Sequence, residues 1–272
     1  DYRSKIASPV WRTTWDWGLF IGGSVPPLIF GVAFGNLLQG VPFHFDSNLV
    51  PYYTGSFWAL LNPFALLVGV VSSAMITFHG AIYLMHRTED AIYARARIAA
   101  ILAGTVMLAG FTAAGLWLWV DLPGFAISSV VDPAALPDPL SKTVVHEPGA
   151  WLANYGRYPW MIAAPALAYA AGILAMLLAM AGRTLLAFVS SSLAITGIIG
   201  TVGVSMFPFV MPSSTHPNSS LTVWDSVSSH LTLEIMFWAA MIFVPIIIVY
   251  TGWAYKVMAG KVTAAYVREN SH

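Results

Sequence analysis

Charge and sulfur are what this chain of 272 residues has least of. Charged side chains make up 9% of it, 12 basic and 12 acidic, against roughly 25% in soluble globular chains. So few ionic groups cannot cover a water-soluble body of this size, and hydrophobic residues reach 58%. Soluble enzymes fall away. The formal net charge of zero leaves no basic surface for a polyanion, so no nucleic-acid partner is expected. Cysteine is absent, which excludes disulfides, thiolate-held iron–sulfur clusters, zinc thiolate sites and thioether-linked haem from the chain. The first residue is Asp1 rather than Met, and no charged-then-apolar segment follows it, so the expectation is either a processed chain or an N-terminal part that precedes Asp1.

What the chain has is long apolar runs. A spanning helix needs about 20 mostly apolar residues. Six stretches qualify: Trp15–Leu38, Phe57–Leu84, Ile98–Val120, Trp160–Ala181, Leu185–Met211 and Ser229–Val257. The expected fold is all-α, a polytopic membrane helix bundle forming one membrane domain over residues 1–272, with lipid around it. Basic residues orient the spans. Arg3, Lys5, Arg12, Arg87, Arg95, Arg97, Arg183, Lys256, Lys261 and Arg268 fall on one side if the six spans alternate direction. Only Lys142 and Arg157 fall on the other. The positive-inside rule therefore predicts that both ends are cytoplasmic.

Three connections are then external. Residues 39–56 read as an irregular loop, 121–159 form the longest connection with six prolines, and 212–228 are rich in Ser, Thr and Pro. On the other side Gly182-Arg183 is barely a turn, so the fourth and fifth spans form a tight helical hairpin. The first span carries Gly18-x-x-x-Gly22 and Gly31-x-x-x-Gly35, a spacing that lets helix backbones approach closely. Pro26-Pro27, Pro165 and Pro245 are read as interruptions of the first, fourth and sixth spans. Ordinary kinks and discontinuous transporter-type helices are both open readings.

Ionisable groups inside the membrane are functional candidates. His79 lies eight residues before Arg87, about 12 Å in from the cytoplasmic end at ~1.5 Å per residue. His230 and Glu234 stand one turn apart at the external start of the last span. A bis-histidine haem needs both ligands at one depth on facing helices. His79 and His230 are at opposite depths, so the expectation is no haem held by this chain alone and no metal site. Hydrogen-bonded packing or cavity-facing roles suit these histidines better. Asp16, among Trp11, Trp15 and Trp17, reads as the N-terminal cap of the first span, and Asp225 as that of the last. Ser190–Ser192, Thr196, Thr201 and Ser205 give the fifth span a polar stripe that would bind helices together. Asp1 and Lys5, at i, i+4 spacing, are by composition a surface pair.

Local runs say more. Asp1-Tyr-Arg-Ser-Lys5, Trp15-Asp-Trp17, Val25-Pro-Pro27, Gly31-Val-Ala-Phe-Gly-Asn-Leu-Leu-Gln-Gly-Val-Pro-Phe43, Tyr52-Tyr-Thr-Gly55, Leu61-Asn-Pro-Phe64, Met206-Phe-Pro-Phe-Val-Met-Pro-Ser-Ser-Thr215 and Ser220-Leu-Thr-Val-Trp-Asp225 resemble subunit II of the cytochrome bd quinol oxidases. That resemblance implies nine spans in two pseudosymmetric four-helix bundles plus a final helix. This chain would be the C-terminal two thirds. It implies an accessory subunit of an electrogenic terminal oxidase in the bacterial cytoplasmic membrane. The complex oxidises ubiquinol or menaquinol, reduces dioxygen to water and takes protons from the cytoplasm. The haems b and haem d belong to partner subunit I, a small accessory subunit is expected beside it, and subunit II can hold a structural quinone. Asp1 and Lys5 match the positions placed near a proton entrance. No family role carries onto Asp16, His79, His230 or Glu234. The competing readings are a secondary transporter and a purely structural membrane protein.

Overall fold

The computed structural model describes residues 6, 8–130, 137–257 and 259–263. In chain order the elements are α1 (Pro9–Gln39), β1 (Phe43–Phe45), β2 (Pro51–Tyr53), α2 (Pro63–Arg87), α3 (Asp90–Val120), β3 (Pro123–Ile127) and β4 (Val144–Pro148). They continue with α4 (Ala150–Arg157), α5 (Ala163–Met180), α6 (Thr184–Met206), β5 (Phe209–Met211), β6 (Leu221–Thr222) and α7 (His230–Val257). Six of these helices are long and apolar enough to cross a membrane. They correspond one to one with the six expected spans, and the chain is a multi-pass, all-α membrane bundle.

Helices α2, α3, α5 and α6 pack in a closed ring, each against two of the others, while α1 leans on α2. Alanine fills much of the seam: Ala81, Ala100, Ala168, Ala175, Ala179 and Ala187 are buried there around Phe78, Ile82 and Met107. Small side chains suit a setting where lipid already solvates apolar surface and close backbone approach provides the attraction. Gly31 and Gly35 do the same for α1. A Cβ on Gly31 would stand 2.6 Å from the Gly69 Cα, and one on Gly35 2.6 Å from the Ala65 Cα. Gly18 and Gly22 meet nothing within 4 Å among the described residues.

Boundaries follow local chemistry. Asn62 caps α2, its side chain accepting the Ala65 N–H at 2.9 Å, with Pro63 in the first turn. The α5–α6 link is the tight turn expected. Arg183 N donates to Leu178 O at 2.9 Å and Gly182 N to Ala179 O at 3.2 Å, with Gly182 at φ +73°. This is a Schellman closure, which needs the left-handed conformation that glycine adopts freely. Arg97 donates to Met180 O at 2.7 Å, a cation on the free carbonyls of α5.

Several expectations are corrected. Asp16 does not cap the first span, because α1 begins at Pro9 after Ser8 and Asp16 lies two turns inside it. Asp225 does not cap the last one: α7 begins at His230, where Ser229 Oγ accepts the Thr232 N–H at 3.4 Å. The fifth span stops at Met206 rather than Met211, since Phe209–Met211 pairs with Leu221–Thr222 as a hairpin. Nor do the prolines break helices. Pro165 sits in the first turn of α5, whose N–H groups lack helical partners anyway, and α1 and α7 run on through Pro26-Pro27 and Pro245.

Residues 39–56, expected to be irregular, form the hairpin β1–β2. With β3–β4, β5–β6 and α4 this hairpin builds a polar cap over one end of the bundle. The cap satisfies helix ends that would otherwise expose carbonyls. Trp151 Nε1 donates to Leu38 O at 3.0 Å, and Asn154 Nδ2 to Val204 O at 2.9 Å and Phe207 O at 2.6 Å. Beneath it lies a second core of Leu38, Phe64, Phe125, Trp151, Met206 and Phe209.

α7 buries none of its residues. Its following segment returns to the α2–α3 turn, where Val262 N donates to Arg87 O at 2.8 Å and Lys261 Nζ lies 3.0 Å from Glu89 Oε1.

Candidate functional site

Two polar regions could carry chemistry, one in the cap and one between α2 and α6. In the cap, Lys142 Nζ lies 2.7 Å from Asp225 Oδ2, with side chains 1% and 7% exposed. Every remaining bond of this pair is local. Lys142 also donates to Pro139 O at 2.7 Å, while Asp225 Oδ2 accepts from Thr222 N at 3.0 Å and Thr222 Oγ1 at 2.6 Å. The pair joins the connection between α3 and α5 to the one between α6 and α7. Sequence reasoning missed it. The only signal was that Lys142 is one of two basic residues on the side otherwise poor in them.

Between the helices, half-buried His79 faces α6. Its Nδ1 is 2.8 Å from Ser191 Oγ and its ring stacks on Phe188 at 4.5 Å between centroids. Ser191 in turn donates to Phe188 O at 2.8 Å. Two turns further along α2, His86 Nδ1 is 3.0 Å from Thr184 Oγ1. The α6 hydroxyls divide their work. Ser191 bonds both to His79 and to its own helix and Ser205 bonds to Tyr155, whereas Ser192, Thr196 and Thr201 donate to carbonyls of their own helix.

The other sequence candidates are not brought together. Asp1 and Lys5 lie outside the described residues. Asp16 is on the exposed surface of α1 beside Thr13, Trp17 and Phe20. His230 and Glu234 are exposed on the first turns of α7, at the cap end, whereas His79 is near the opposite end of α2. For a haem bound through two histidines these residues do not fit: His79 is directed to Ser191 on α6, and no described intramembrane histidine opposes it. Among the described residues no group of three or more His, Cys, Asp or Glu side chains converges.

A cavity of about 240 Å³ opens within the ring under the cap, lined by Val71, Phe111, Trp151, Tyr155, Tyr169 and Ser205 among others. Its surface is apolar except where hydroxyls meet. Tyr155 OH is 2.8 Å from Ser205 Oγ, and Tyr169 OH 2.8 Å from Thr112 Oγ1. Burial pushes the Tyr155 phenol above its ordinary value, and the Ser205 hydrogen bond acts more weakly the other way. Such a pocket suits an apolar molecule with few polar atoms.

The geometry therefore defines a polytopic membrane scaffold, a capped four-helix ring with flanking helices and no converged redox centre among the described residues. The family described as cytochrome bd terminal oxidase subunit II matches residues 1–258, and the chain belongs to that family. It is 51% identical over all 272 residues to cytochrome bd-I ubiquinol oxidase subunit 2 of Escherichia coli K12, covering 72% of that protein. It is 48% identical to the probable cytochrome oxidase subunit 2 of Haemophilus influenzae, again covering all of this chain and 72% of the relative. Cytochrome bd ubiquinol oxidase subunit 2 of Bacillus subtilis is 25% identical over 266 residues, 97% of this chain and 68% of that one. The chain is thus an accessory subunit of a terminal quinol oxidase complex, and the transporter reading is not favoured. The family implies haem in the complex and a partner subunit I.

Proposed function

We propose that this chain is the haem-free half of the oxidase, clasping a subunit I that holds the haems b and haem d and oxidises quinol. The observation that carries this is the 51% identity along the whole chain to a subunit named as part of a ubiquinol oxidase. Haem in subunit I supplies the reduction of dioxygen; this chain's own residues position helices and exclude water. The capped end faces outward and the other end faces the cytoplasm. Arg12, Arg87, Arg95, Arg97, Arg183 and Lys256 all belong to the uncapped end, which supports that orientation.

On this reading Asp1 and Lys5 accept protons at the cytoplasmic surface and pass them toward subunit I. The apolar cavity under the cap would take a structural quinone, and the Tyr155 and Ser205 hydroxyls in its lining would offer hydrogen bonds to it. A small accessory subunit completes the complex.

Co-purification tests the assembly. The full-length chain should carry a haem-bearing partner with a long-wavelength haem d band and quinol-driven oxygen uptake. A colourless protein that moves solute by itself would overturn it. Asp1→Asn combined with Lys5→Met should slow proton uptake and oxygen consumption together; unaltered rates would remove the proposed proton route and leave the assembly standing.

A further inference from the structure

The cap brings two histidines into ring contact that the oxidase reading leaves without a task. His44 is the central residue of β1, and His216 directly precedes the turn Pro217–Ser219. Their ring centroids are 4.7 Å apart with 40° between the planes. Tyr52, the register partner of His44 on β2, stacks on the His44 ring at 5.5 Å and 19°. The backbones under both rings are tied without using either imidazole. The Ser213 hydroxyl donates to Phe43 O, Thr215 Oγ1 donates to the same carbonyl at 3.4 Å, Phe45 N donates to Ser219 Oγ at 3.3 Å, and His216 N to Ser213 Oγ at 3.1 Å.

A second observation points to a ligand. His44 Nδ1 is enclosed and has no hydrogen-bond partner among the described residues, which is uncommon for a buried polar atom. His216 is exposed, so the pair is reachable from solvent.

We propose that His44 and His216 form a two-histidine site for a divalent cation of borderline softness, Zn²⁺ or Cu²⁺, with water completing the coordination. Imidazole nitrogen binds such ions at about 2.0–2.1 Å, which places the ion roughly 3.2 Å from the ring centroid. Two rings sharing one ion with centroids 4.7 Å apart then enclose an angle of about 95°, between square-planar and tetrahedral values. Hard, oxygen-seeking ions such as Mg²⁺ are poor matches for two imidazoles. Asp46, two residues after His44 in the chain, has its Oδ1 committed to the N–H groups of Asn48 and Val50 at 2.8 and 2.9 Å. The His216 side of the pair is exposed, so water from solvent would complete the coordination there. A bound ion would join the connection after α1 to the one after α6.

The test uses the detergent-purified complex with the full-length subunit, stripped by a chelator and then titrated with Zn²⁺ or Cu²⁺ alone. Zn²⁺ affinity should fall at least about tenfold in His44→Gln and in His216→Asn, a loss at the low end of what even an outer-shell change costs. Cu²⁺ electron paramagnetic resonance should show two coupled nitrogens in the parent and one in each variant. His216 is exposed, so its variant decides the matter even if His44→Gln folds poorly. An unchanged Cu²⁺ spectrum and Zn²⁺ affinity in His216→Asn would overturn the site. So would equal competition by Mg²⁺.

Discussion

Lys142 Nζ and Asp225 Oδ2 meet at 2.7 Å in a nearly sealed pocket of the cap, each held by further bonds to its own loop. Removing one partner leaves an uncompensated buried charge, typically worth about 3–5 kcal/mol. Lys142→Met or Asp225→Leu alone should therefore lower the unfolding temperature of the complex sharply. The double variant should lose clearly less than the two losses added, because the stranded charge is gone. Calorimetry on all four proteins measures that coupling; strict additivity would show that the pair is not an energetic unit.

The α1–α2 contact predicts a positional contrast. Gly31→Val places methyl groups where the Gly69 backbone already lies, and overpacking of this kind costs about 1–3 kcal/mol or separates the helices. The same change at Gly80 of α2, where nothing among the described residues stands within 4 Å, should cost no more than a substitution facing lipid. Resistance to dissociation in rising detergent, read for each variant, should fall for Gly31→Val only.

The contacts of His79 are those of a packing residue. His79→Ala removes the stack on Phe188 and the bond to Ser191, and should destabilise by about 1–3 kcal/mol, the cost of unpairing a buried group. His79→Gln keeps a hydrogen-bonding atom and should recover part of that. Oxygen turnover per assembled complex should stay level in both; a turnover loss that tracks proton uptake would assign His79 a transfer role instead.

The Tyr155 phenol gives a pH dependence. Its raised value means the folded state retains the proton that the unfolded chain releases near pH 10. Its contribution to stability is complete below that pH and is lost as pH rises through the folded value. Tyr155→Phe should flatten the alkaline limb of an unfolding-temperature profile from about pH 10 upward. An unchanged limb would mean other groups dominate it.

The membrane architecture was legible because its signal is local. Each span writes its own apolar run, and the Gly182-Arg183 turn names itself in two residues. The polar cap is different in kind. The Lys142–Asp225 pair, the His44–His216 contact and the capping of α1 by Trp151 each join segments far apart in sequence. Nothing in the periodicity of either partner announces the other. That is also why Asp16 and Asp225 were misread: an acidic residue before an apolar run resembles a cap until a longer helix or a distant lysine is seen to claim it. Hairpins β1–β2 and β5–β6 were hidden for a related reason, since strands of two or three residues carry too few positions to show alternation.

Both ends of α7 are moored while none of its described residues is buried: Asp225 grips the cap just ahead of it, and Val262 hydrogen-bonds to Arg87 just beyond it. The segments just before and after such a rod set where it lies. Inserting or deleting a residue among Val227, Ser228 and Ser229 would swing the rod sideways, leaving the four-helix ring undisturbed.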